Sequence, residues 1–120
     1  MHGTVLLVDD EEAVRSIGSQ LLKTLGFTPI TANDGLEALS IFKETPGIAF
    51  VILDLTMPRM DGREAFFQMK ALDPEVRVVL TSGYSEQESS ELPHGLQPAG
   101  FIQKPFSLQA LRRVLEKALE

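Results

Sequence analysis

Two adjacent acids, Asp9-Asp10, follow the unbroken apolar run Val5-Leu6-Leu7-Val8, and a third, Asp54, follows Phe50-Val51-Ile52-Leu53. Carboxylates are costly to bury, so an acid placed directly after four apolar residues needs a purpose. Two more polar groups stand in equivalent places: the hydroxyl pair Thr81-Ser82 ends the run from Val76, and Lys104 follows Phe101-Ile102. If these runs are strands of one parallel sheet, the polar groups share the rim at the strands' carboxyl ends, where open α/β sheets hold ligands. Neighbouring strands lie about 4.8 Å apart, so the groups converge. Three carboxylates that close repel one another unless a cation intervenes. Oxygen donors with room for water and a phosphate suit Mg²⁺ or Mn²⁺. Add an ammonium and a hydroxyl, and the set fits phosphoryl transfer, in which catalysis is mostly positioning and charge neutralisation.

Taken singly, most of these residues have a plainer explanation. Asp9-Asp10 suits a first helical turn, Ser82 a turn, and Lys104 before Pro105 a solvated loop. Their coincidence at successive strand ends is what makes a site. His2 and His94 have no partner at metal-ligand spacing.

The site needs elements to position it, and the apolar pattern supplies them. Val14, Ile17, Leu21, Leu22 and Leu25 predict one stripe of a helix from about Glu11 to Leu25, with Gly26 as its C-terminal glycine. Thr28 to Ala32 reads as a strand, Asn33-Asp34-Gly35 as a turn, and Leu36, Leu39 and Phe42 as a helical stripe closed by Pro46-Gly47. A third strand through Asp54 leads to a helix near Gly62 to Leu72, a fourth strand spans Val76 to Thr81, and Phe101-Ile102 forms the fifth. A short or frayed helix is expected between Tyr84 and Gly100, a stretch broken by Pro93, Gly95 and Pro98. The last helix starts after Ser107, a suitable N-cap, with Leu108, Leu111, Leu115 and Leu119 on one face. Strands alternating with helices imply a doubly wound α/β fold of flavodoxin type, (βα)5, with a five-stranded parallel sheet and helices on both faces. Continuous apolar strands agree, since such strands have no wet side.

At 120 residues the chain fits a single domain, residues 1–120, that buries roughly two-thirds of its surface. Cysteine is absent, which excludes a disulfide scaffold, a thiolate metal site and a cysteine nucleophile. The net charge of −6 argues against direct nucleic-acid binding, which draws on a basic face. No apolar run is long enough to cross a bilayer and no signal peptide is visible, so a cytoplasmic location without membrane insertion is expected.

The sequence resembles the receiver domain of two-component response regulators over essentially its whole length. The resemblance rests on Val8-Asp9-Asp10-Glu11, the run Asp54-Leu55-Thr56-Met57-Pro58-Arg59-Met60-Asp61-Gly62, Ser82-Gly83 and Lys104-Pro105-Phe106, in the family's order and spacing. It implies that Asp54 is the phosphoacceptor and that Asp9 and Asp10 hold Mg²⁺ with Asp54 and the backbone carbonyl of Thr56. Lys104 would pair with the phosphoryl oxygens and Ser82 would donate a hydrogen bond to them. Gly83 selects Ser82 over Thr81, because the family places a small residue after the switch hydroxyl. Phe101 matches the aromatic switch position, Thr56 and Tyr84 match positions that tune acyl-phosphate lifetime, and the Lys104-Pro105 bond is usually cis in this family. The implied partner is a histidine kinase or histidine phosphotransfer protein. The resemblance implies a phosphoacceptor switch rather than a turnover enzyme, with self-phosphorylation from small phosphodonors and self-dephosphorylation. A monomer or weak dimer is expected before phosphorylation. The runs Leu80 to Ser85 and Gly100 to Phe106 are similar to receivers carried by hybrid sensor kinases, though a stand-alone regulator has the same site. Mg²⁺-dependent phosphohydrolases of the haloacid-dehalogenase type share an aspartyl nucleophile, but carry it in an Asp-x-Asp pattern on the first strand.

Overall fold

Nine elements follow one another among the described residues of a computed structural model, which are 2–54, 62–82, 98–104 and 107–118, without the side chain of Ser82. They are β1 (Gly3–Val8), α1 (Glu12–Thr24), β2 (Phe27–Ala32), α2 (Gly35–Glu44), β3 (Ile48–Asp54), α3 (Gly62–Leu72), β4 (Val78–Ser82), β5 (Gly100–Gln103) and α4 (Leu108–Ala118). The strands form one parallel sheet in the order β2-β1-β3-β4-β5, the doubly wound, flavodoxin-like arrangement that the alternation predicts. The helix expected between Tyr84 and Gly100 falls largely on residues outside the described set, as do Thr56, Gly83, Pro105 and Leu119.

Strand alternation divides the core into two layers. Leu6, Val8, Val51, Leu53, Val78 and Leu80 pack against Ala38 and Leu39 of α2 and Ala65, Phe66 and Met69 of α3. Their neighbours Val5, Leu7, Phe50, Ile52, Val79 and Ile102 pack against Leu22 of α1 and Leu111 and Leu115 of α4. Each central strand is buried on both faces, which is why it reads as an unbroken apolar run. Pro29 lies on β2, an edge strand, where a missing N–H is tolerated.

Local chemistry sets the element ends. Gly26 takes φ 100° after α1, a left-handed conformation that glycine adopts freely, and its N–H donates to the Lys23 carbonyl. Ser107 caps α4 as expected, its Oγ accepting from the Ala110 N–H at 3.1 Å. The fourth strand starts at Val78 rather than Val76, because the Val76 N–H closes a turn onto the Asp73 carbonyl at 3.1 Å.

The predicted stripe of α1 needs correction. Leu22 and Leu25 are buried, but Ile17 is 58% exposed and Gly18 takes the core position. At 100° per residue, Ile17 sits about 140° around the helix from Leu22, and Gly18 only about 40°. Leu36 is likewise exposed in the first turn of α2, where Ala38 and Leu39 make the core contacts.

Candidate functional site

The chain leaves β1 toward β2 on one side and returns to β3 on the other, so the crevice between the ends of β1 and β3 is the sheet's switch point. Val8 pairs with Leu53, which sets Asp9, just past β1, beside Asp54, the last residue of β3. Asp9 is 1% and Asp54 2% exposed, while Asp10 is open to solvent. One carboxylate oxygen from each of Asp9, Asp10 and Asp54 lies within 4.8 Å of the others. The predicted acidic cluster is thus assembled.

Lys104 enters from the end of β5. Its Nζ donates to Asp9 Oδ2 at 3.0 Å and to Asp54 Oδ2 at 3.3 Å, and lies 3.5 Å from Glu11 Oε1. Its side chain is 13% exposed. Burial pulls the ammonium toward its neutral form, but the Asp9 hydrogen bond and the charges of Asp54 and Asp9 outweigh this. The Lys104 pKa therefore stands above the ordinary lysine value. The acids thus already draw one cation between them. Three convergent oxygen donors, with neither histidine nor cysteine among them, fit a hard divalent ion such as Mg²⁺.

Asp9 is tied at every polar group. Its N–H donates to the Ala32 carbonyl at 3.1 Å, its Oδ1 accepts from the Glu11 N–H at 2.9 Å, and its Oδ2 accepts from Lys104. Its carbonyl accepts from Arg15 Nη1 at 2.8 Å. Arg15 and Glu11 are site neighbours that motif reading left without a role. The available signal was Arg15's place in the first turn of α1, since helical side chains lean toward the N-terminus.

Asp34 is a third buried acid, just past the end of β2, with a structural duty. It caps α2 by accepting from the Glu37 N–H at 2.8 Å, while Glu37 Oε1 accepts from the Asn33 N–H at 2.7 Å. This is close to a capping box, and its signature, Asp34-x-x-Glu37, is present in the sequence.

Of the remaining predicted residues, Ser82 ends β4 and pairs with Gln103. Thr81, one residue earlier, is buried and pairs with Asp54. Phe101 is half-buried against the α2–α3 layer of the core. Thr56, with its carbonyl, Tyr84 and the Lys104-Pro105 bond lie outside the described residues or reach into them.

Known proteins resemble this chain in sequence and in fold. The family model for the response regulator receiver domain matches residues 5–116. Sensor kinase CckA of Brucella abortus is 37% identical over 118 residues, covering 98% of this chain and 12% of the kinase. The chain therefore spans a small part of that relative's length. Sporulation initiation phosphotransferase F of Bacillus subtilis is 32% identical, with 99% of this chain and 95% of that protein aligned. Among solved structures, response regulator TrrA of Thermotoga maritima, in complex with Mg²⁺-BeF, superposes with a TM-score of 0.86 at 27% identity, over 97% of this chain and 98% of that one. With the sheet order, the acidic cluster and the family match in agreement, the protein belongs to the response regulator receiver domains of two-component signalling systems.

Proposed function

We propose that Asp54 receives a phosphoryl group from a phosphohistidine of a histidine kinase or phosphotransfer protein. The observation that carries this reading is the convergence of Asp9, Asp10 and Asp54 on one point, with Lys104 bridging Asp9 and Asp54. Asp9, Asp10, Asp54 and the carbonyl of Thr56 would hold Mg²⁺ or Mn²⁺. When bound, the ion neutralises charge on the phosphoryl oxygens and carboxylates.

The chain's own residues do the rest. An Asp54 carboxylate oxygen attacks phosphorus, the new O–P bond makes an acyl phosphate, and the P–N bond breaks with its electron pair leaving on the imidazole. Lys104 then exchanges its contact with Asp54 for the phosphoryl oxygens, and Ser82 donates its hydroxyl hydrogen to them. Those contacts exist in one state alone, so their energy is what can bias the surface around Phe101 and α4. In this reading the chain is a switch that loses its phosphoryl group by self-hydrolysis, not a turnover enzyme. Residues 1–120 form one domain that works in the cytoplasm, a monomer or weak dimer before phosphorylation. A setting within a hybrid kinase fits the similarity to Sensor kinase CckA.

Beryllofluoride, a phosphoryl mimic that is not hydrolysed, tests the site. With Mg²⁺ it is expected to shift the amide resonances of Asp9, Asp10, Asp54, Ser82 and Lys104 in an NMR spectrum. An unchanged spectrum would leave a fold that has lost phosphorylation.

A further inference from the structure

We infer that Arg15 is a positioning residue that fixes the orientation of Asp10 for the metal; this rests on the functional reading above. Asp10 is exposed, and its carboxylate has no hydrogen bond or ion pair among the described residues. Its direction is therefore set by the backbone that carries it. The Asp9 carbonyl and the Asp10 nitrogen belong to one planar peptide unit, so holding that carbonyl limits the swing of the Asp10 Cα. The half-buried Arg15 guanidinium holds it at 2.8 Å. Of the other ties of this loop, those to Ala32 and Lys104 act on the N–H and side chain of Asp9, and the Glu11 N–H bond to Asp9 Oδ1 restrains the peptide after Asp10. Arg15 alone among the described contacts therefore holds the carbonyl of the Asp9–Asp10 peptide. Arg15 itself is fixed by the first turn of α1, its N–H donating to the Glu11 carbonyl at 3.1 Å.

Strut and bare charge predict opposite signs. As a charge beside an acidic cluster, Arg15 opposes a second cation, and removing it would tighten Mg²⁺ binding. As a strut, it holds a ligand in place, and removing it loosens binding.

The test is Mg²⁺ titration by calorimetry of wild type, Arg15→Met and Arg15→Lys. Arg15→Met keeps the apolar stem and should raise the Mg²⁺ Kd about tenfold, the usual effect of losing a group that orients a ligand. Phosphorylation of Asp54 by acetyl phosphate should slow at low Mg²⁺ and return to the wild-type rate at saturating Mg²⁺. Arg15→Lys keeps the charge but loses the planar fork, so it should weaken binding by a smaller factor. It carries the test if Arg15→Met does not fold. An unchanged or lower Kd in the folded variants overturns the inference alone. Absence of Mg²⁺ binding by the wild type overturns the functional reading beneath it.

Discussion

Replacing Lys104 with methionine removes the cation that, among the described residues, bridges Asp9 and Asp54, while keeping most of the side-chain volume. The two contacts, at 3.0 and 3.3 Å, are each worth about 5 kcal/mol gross at an effective dielectric constant near 20. Desolvation of the ions opposes most of that, so the gross figure is not the cost. What remains after substitution is a pair of nearly inaccessible carboxylates that have lost this cation. Stripping one partner from a buried ion pair costs about 3–5 kcal/mol. For a chain of 120 residues this is a fall in Tm of roughly 10–20 °C. The assay is urea and thermal unfolding in EDTA, then in saturating Mg²⁺. The loss should be large in EDTA and smaller with Mg²⁺, since the ion replaces the missing charge. Combining Lys104→Met with Asp54→Asn should cost less than the sum of the two, by about 1.5–3 kcal/mol, the worth of a hydrogen bond to a charged group. A loss below about 1 kcal/mol in EDTA would refute the reasoning, because it would place Lys104 among solvent-screened surface pairs.

Other consequences follow from the same geometry. A Cβ added at Gly100 would lie 2.8 Å from Val114 Cγ1, so Gly100→Ala should press α4 away from β5 and cost about 1–3 kcal/mol in urea unfolding. Asp34→Ala removes the α2 cap and should cost about 1 kcal/mol, most of it restored by Asn or Ser. Leu22→Ala should cost about 2–5 kcal/mol, whereas Ile17→Ser at an exposed site should stay within about 0.5 kcal/mol. The Lys104 pKa is raised in the folded state, so its stabilisation is complete below the unfolded value and fades as pH rises through the folded one. The stability difference between wild type and Lys104→Met in EDTA should therefore be level from about pH 6 to 9 and shrink only above about pH 10.4.

The fold and the core of the site were legible for physical reasons. Strands buried on both faces must be continuously apolar, so Val5 to Val8 and Phe50 to Leu53 declared themselves, and the acids after them marked the rim. Helix faces were less legible. Ile17 and Leu36 fit a helical spacing yet face solvent, because spacing gives the angle between residues but not which direction is inward. The start of β4 was misplaced because Val76 is apolar and buried while its N–H serves a turn. Arg15 escaped notice for another reason: it donates to a backbone carbonyl, and every residue has one. Such a contact leaves no residue-type signature. The Asp9–Lys104 pair, 95 positions apart, was reachable only through the sheet order.

Asp54 is the residue proposed to take the phosphoryl group. Intact-protein mass spectrometry after incubation with acetyl phosphate and Mg²⁺ should show one phosphoryl group on the wild type. The adduct should be absent from Asp54→Asn and from wild type in EDTA. A phosphoryl adduct that persists in Asp54→Asn would contradict the account, as would a wild type that neither gains mass nor binds beryllofluoride.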